Sequence, residues 1–255
     1  MNVGGFEGVF KKKAQDGKKA IIPFLPGGYP SLERFWDYIV EMDECGADII
    51  EIGVPFSDPV ADGEVVERAS NVALSNGVSL GWILEGLSRV RERISTPVVL
   101  MGYCNPFFRY RWERFARDAA GAGVDGVIVA DLPLEESSEI EEILLAEGIE
   151  LIYLIGLNTS TERMQMYASH SRGFVYFVSV LGTTGIRESL PAELQERLTR
   201  AREIFSCPIS LGFGISSPSQ LGPIASLIDG IVFGSALIRH LDEKGEIRSF
   251  FERWK

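Results

Sequence analysis

Eight short runs rich in β-branched and other apolar residues recur along the chain, and they limit the fold more than any other feature. They are AIIPFL (20–25), ADIIEIGV (47–54), PVVLMGY (97–103), DGVIVAD (125–131), ELIYLIG (150–156), FVYFVSV (174–180), PISLGFG (208–214) and DGIVFGS (229–235). Their hydrophobicity is nearly continuous rather than alternating, as in parallel strands covered on both faces. Between most of them lies a stretch of helical period. One helix opens behind Ser31 as N-cap, carries Leu32, Phe35, Trp36, Ile39 and Val40, and stops at Gly46. The same pattern puts Trp82, Ile83, Leu87, Val90 and Ile94 behind Ser79, and Leu194, Leu198 and Ala201 behind Pro191.

Strand and helix alternating eight times predict βα units, and right-handed crossovers that close on themselves give a (β/α)8 TIM barrel of the α/β class. The rival is an open doubly wound sheet, whose first strand should lead into a G-x-G-x-x-G turn. Here it leads into PFLPGGYP, with prolines where that turn needs free amides. No Ser-, Gly- or Pro-rich linker and no low-complexity segment divides the chain, so a single domain over residues 1–255 is expected.

A net charge of -11 argues against a nucleic-acid binder or a protein that sits on anionic membranes, because both need a basic surface. No apolar run approaches the ~18 residues of a membrane span. Cys45, Cys104 and Cys207 are odd in number and without metal-ligand spacing, which fits a reducing compartment. The start of the chain lacks the apolar core of a secretory signal, and the expected location is cytoplasmic. With only His170 and His240, far apart, neither a histidine metal site nor a Ser-His-Asp triad is expected.

Barrel chemistry gathers at the carboxyl ends of the strands. Glu51 stands inside an apolar strand, where an ionised carboxylate is disfavoured; it is either a structural partner of a neighbouring strand or a proton carrier with a raised pKa. Asp62 follows on a loop stiffened by two prolines, which can present a second carboxylate across the pocket. Two carboxylates in unlike environments are the pattern that separates acid from base. Asp58 in the same loop is either a turn former beside Pro59 or a further functional group. Glycines in VLGTTGIRESLP, LGFGISSPSQ and FGSALI mark three successive strand ends, a setting for phosphate held by backbone amides without basic side chains. Phe24, Met101, Tyr103, Ile128, Ala130, Leu154 and Phe213 fall near strand ends, where they are either core or the wall of a flat apolar cavity for an aromatic ring.

The chain resembles the tryptophan synthase alpha subunit family over nearly its whole length. The resemblance rests on PFLPGGYP, GADIIEIGVPFSDPVADG, GYCNP, GVIVADLPLEES, RGFVYFVSVLGTTG and LGFGISSP with FGSA, in the family's order and spacing. It implies a lyase that splits indole-3-glycerol phosphate into indole and glyceraldehyde 3-phosphate by a retro-aldol reaction. The indole passes to a beta subunit, in an α2β2 complex. It implies Glu51, Asp62 and Tyr176 as catalytic residues and Gly185, Gly214, Gly234 and Ser235 as phosphate ligands. Phe24, Met101, Ile128, Ala130, Leu154 and Phe213 fall on the indole pocket, and Thr184 lies in a lid that closes toward Asp62. Neither metal, cofactor nor Schiff-base lysine is implied. The chain departs from the family at Glu64 and Val65, where proline and threonine are usual, and at PGGYP in the first loop.

Overall fold

A computed structural model describes residues 5–179, 193–212, 215 and 217–254. Chain order among these is α1 (Gly5–Gln15), β1 (Ala20–Pro26), α2 (Leu32–Cys45), β2 (Ile50–Gly53), α3 (Glu64–Ser75), α4 (Leu80–Val90), β3 (Val98–Gly102), α5 (Cys104–Tyr110) and α6 (Trp112–Ala122). There follow β4 (Gly126–Val129), α7 (Ser138–Ala146), β5 (Glu150–Leu151), β6 (Leu154–Gly156), α8 (Thr161–His170), β7 (Val175–Val178), α9 (Leu194–Ile204), β8 (Ile209–Gly212), β9 (Gly230–Phe233), α10 (Ser235–Lys244) and α11 (Ile247–Phe251). The expected caps form: Ser31 accepts the Arg34 amide, Ser79 accepts the Trp82 amide, and Gly46 ends α2 at φ 96°. No helix of the described residues is long and apolar enough to cross a membrane.

Every strand pairing is parallel, in the order β5-β4-β3-β2-β1-β9-β8-β7-β6. The two ends of that list are consecutive in sequence, so the sheet is a closed barrel of eight staves. The fifth stave has two halves: β5 pairs with β4 and β6 with β7. Ile152 and Tyr153 join them, the Ile152 amide reaching Val127 O at 2.8 Å on one side and Tyr153 O accepting the Tyr176 amide at 3.0 Å on the other. This split was not expected for the run at 150–156. Tyr153 holds the corner from outside, its hydroxyl 2.9 Å from Ser137 Oγ and 3.1 Å from Glu141.

Partners in register across a parallel sheet face the same side. One row runs Phe24, Glu51, Val99 and Gly126; another runs Leu154, Tyr176 and Ser210; above the first lie Gly53, Met101 and Ile128. This face is the barrel interior. A Cβ on Gly53 would stand 2.7 Å from the Phe24 ring, and one on Gly126 2.9 Å from the Phe6 ring.

Phe6 belongs to α1, which the sequence pattern did not suggest. Phe6 and Phe10 pack on Phe174 with centroids 5.5 and 5.6 Å apart, closing the amino-terminal end of the barrel. A Lys13 to Asp48 pair at 2.7 Å fixes the helix there. The opposite, carboxyl-terminal end is where the candidate residues gather. Two helices follow β2: α4 lies in the outer ring between α2 and α6, whereas α3 packs against β1 and α10.

Candidate active site

Glu51 sits in the middle of β2 between fully buried Ile50 and Ile52, and is itself 1% exposed. The strand's alternation turns both isoleucines outward beneath the helices and leaves Glu51 pointing into the barrel. Its Oε1 has no hydrogen-bond partner among the described residues. A buried carboxyl with an unpartnered oxygen favours its neutral form. Burial first, and the charge of Asp62 second, push Glu51 up to about 8.

Asp62 stands at the end of the loop 54–63, just before α3 begins at Glu64. Burial raises its pKa to about 6, against a hydrogen bond from Tyr103 that lowers it, with Glu67 adding a further rise. The two carboxyls are therefore unlike: near neutral pH Glu51 favours its protonated form more strongly than Asp62 does. Asp58, by contrast, is exposed and accepts a hydrogen bond from the neighbouring Ser57 at 2.5 Å.

Tyr103 was placed by the sequence only among strand-end apolar groups, yet it organises the Asp62 loop. Its ring lies against Phe56, centroids 5.4 Å apart, and its hydroxyl oxygen accepts the Ala61 amide at 3.1 Å. That contact uses an acceptor lone pair, so the hydroxyl proton remains to be donated to the Asp62 carboxylate. Burial and the nearby carboxylate raise the Tyr103 phenol, keeping it a donor. Asp131 was missed as well: its carboxylate accepts the Cys104 amide at 2.7 Å, capping α5 from the loop after β4. Bonds between loops of different staves have no local sequence signal.

Tyr176 is buried on β7, and its phenol is raised well above the ordinary value by burial, then by Glu51 and Asp62. It therefore shares the interior with both carboxylates as a neutral group. Gly212 makes room for it, since a Cβ there would lie 2.2 Å from the Tyr176 hydroxyl.

Gly234 is the N-cap of α10 and Ser235 its first residue. The free amides and dipole of this end favour an anion at the carboxyl-terminal rim. Phe24 lies between Gly53 and Gly234, whose Cβ atoms would approach its ring to 2.7 and 3.2 Å. Met101 and Ile128 are adjacent in register, 8% and 0% exposed, while Ala130 and Leu154 are half-buried beside a cavity of about 60 Å3 between staves four and five. The structure thus brings Glu51, Asp62, Tyr176, Phe24, Met101, Ile128, Ala130, Leu154, Gly234 and Ser235 to one end of the barrel. Thr184, Gly185, Phe213 and Gly214 lie outside the described residues. Among the described residues, no three His, Cys, Asp or Glu side chains form a group suited to a metal ion.

This arrangement can give a proton from Glu51 to an electron-rich carbon, hold a nearby positive charge with Asp62 and bind an anion at α10. The family model for the tryptophan synthase alpha chain matches residues 10–253. A tryptophan synthase alpha chain of Solidesulfovibrio magneticus is 57% identical over 94% of this chain and 93% of its own length. One of Nitratidesulfovibrio vulgaris is 51% identical over 100% and 99%. Among solved structures, Mycobacterium tuberculosis tryptophan synthase superposes with a TM-score of 0.91 at 33% identity, covering 98% of this chain and 96% of that one. The tryptophan synthase subunit alpha of Legionella pneumophila gives 0.86 at 32%, covering 99% and 94%.

Proposed function

The chain belongs to the tryptophan synthase alpha chain family, and we propose that the unlike carboxylates Glu51 and Asp62 carry its chemistry. Its role is that of the alpha subunit in tryptophan biosynthesis: a lyase that cleaves indole-3-glycerol phosphate, with the tryptophan synthase beta subunit as partner.

In this reading, neutral Glu51 gives its proton to ring carbon 3 of the indole. The ring nitrogen becomes positively charged, and ionised Asp62 stabilises that charge in a site where water is scarce. Glu51, now a carboxylate, takes the proton of the hydroxyl on the adjacent side-chain carbon. As that carbon becomes a carbonyl, the carbon–carbon bond breaks and its electron pair returns to the ring, discharging the nitrogen. Indole and glyceraldehyde 3-phosphate leave, and Glu51 is protonated again. One buried group thus serves as acid and then as base, for which a pKa near neutrality is suited. Tyr176 keeps a neutral phenol beside the pair.

The phosphate is assigned to the amides of Gly234 and Ser235 on α10, together with Gly185 and Gly214. The ring is assigned to Phe24, Met101, Ile128, Ala130, Leu154 and Phe213, and closure to the segment with Thr184. Val60, 79% exposed two residues before Asp62, and Phe108, 67% exposed on α5, stand at the same rim and suit an apolar partner contact in an α2β2 assembly. A cytoplasmic location and a single domain over 1–255 complete the proposal.

The observation that carries it is the placement of Glu51, buried with its Oε1 unpartnered among the described residues, within electrostatic reach of a second carboxylate, Asp62. Replacing Glu51→Gln tests it by indole release from indole-3-glycerol phosphate. The account expects turnover to fall by at least about 10²-fold with the fold intact; near-normal turnover would end it.

A further inference from the structure

Resting on the role proposed for Asp62, we propose that Arg68 is a positioning residue for that aspartate, acting through a three-residue clamp with Asp242 and Tyr29. Asp62 is two residues from the start of α3, so its place in the pocket follows the place of that helix. The buried residues of α3 are Val66, Ala69, Ser70 and Ala73, with Val65 and Val72 packed half-buried beside them, so the face is made of small and short-branched side chains without a long interlocking ridge. Such a face seats the helix without fixing its position along the axis, because it offers few ridges to interlock.

The clamp supplies the missing register. Arg68, on the second turn of α3, pairs through Nη2 with Asp242 of α10, and its Nη1 donates to the Tyr29 hydroxyl at 3.3 Å. The Tyr29 hydroxyl donates to the same carboxylate. Tyr29 is 4% exposed, and its amide is tied to Pro26 O of β1 at 3.0 Å. Among the described residues, Arg68 to Asp242 is the one ion pair that joins α3 to another element.

The far end of the clamp gives it meaning. Asp242 lies on the helix whose amino end, Gly234 and Ser235, is assigned to the phosphate. The clamp therefore joins the helix that follows the Asp62 loop to the helix whose amino end is assigned to the phosphate, so that the two substrate-facing segments are held in one frame. Tyr29 belongs to the PGGYP loop, a departure from the family pattern, so the device answers to this chain's own residues.

Arg68 is half-exposed, and an ion pair so placed contributes little to stability. Its loss should therefore appear in catalysis rather than in folding. The test uses steady-state cleavage of indole-3-glycerol phosphate by the full chain, with thermal unfolding alongside. For Arg68→Met the expectation is a fall in kcat on the order of tenfold, KM within about twofold and a nearly unchanged Tm, since a small misplacement of a charged group is costly to the reaction. Arg68→Lys restores part of kcat, and Asp242→Asn adds little further loss to Arg68→Met. A wild-type kcat in Arg68→Met, or a joint fall of kcat and Tm that lysine does not rescue, overturns the proposal. Asp62→Asn is the control: a full loss there beside an unaffected Arg68→Met sinks the clamp alone, whereas normal turnover in Asp62→Asn removes the premise as well.

Discussion

At the scale of the residue, Glu51 shows what a buried carboxylate gives up in stability for the chemistry proposed for it. Its folded pKa of about 8 lies above the ordinary 4.5, so the folded chain binds this proton more tightly than the unfolded one. Stability from this group is complete below the unfolded value, declines as pH rises through the window between the two, and levels off above about 8. Glu51→Gln should accordingly be more stable than the parent at pH 9, by on the order of a few kcal/mol, with the gap closing toward pH 4.5. Denaturant titrations at the two pH values measure it; an equal gap at both would contradict the buried neutral acid. Glu51 was legible in the sequence because a charge inside an apolar run is conspicuous, and Asp62 because prolines stiffen its loop. Asp58 stayed open until the structure showed it facing solvent. Tyr103 and Asp131 were not legible as site residues, since each acts through a hydrogen bond to a loop of another stave.

At the scale of the element, local chemistry told most of the story. The strand runs, the Ser31 and Ser79 caps and the Gly46 stop all appear where their residue types place them. What escaped was α1, whose lysines and two phenylalanines make a weak pattern until Phe174 and the barrel floor give those rings a partner. The split of the fifth stave escaped too, because barrel closure, not local propensity, makes Ile152 and Tyr153 turn from one neighbour to the other. Since Phe6 is 1% exposed against Gly126 and Phe174, Phe6→Ala should destabilise the chain by roughly 3–5 kcal/mol. Chemical denaturation checks this, and a loss under about 1 kcal/mol would mean that α1 merely rests on the barrel.

At the scale of the whole molecule, the closed barrel explains how residues from 24 to 235 meet at one end. Register puts Phe24, Glu51, Met101, Ile128, Leu154 and Tyr176 on the inner face, and α10 brings its amino end to the same rim. The division of labour proposed for Glu51 and Asp62 is tested most directly by the pH dependence of kcat/KM for indole release, which reports the ionisations of the free enzyme. The account predicts a bell, its acid limb near the Asp62 value of about 6, where that charge is lost, and its alkaline limb near the Glu51 value of about 8, where the proton for carbon 3 is lost. A profile that stays flat from pH 5 to pH 9 would contradict it.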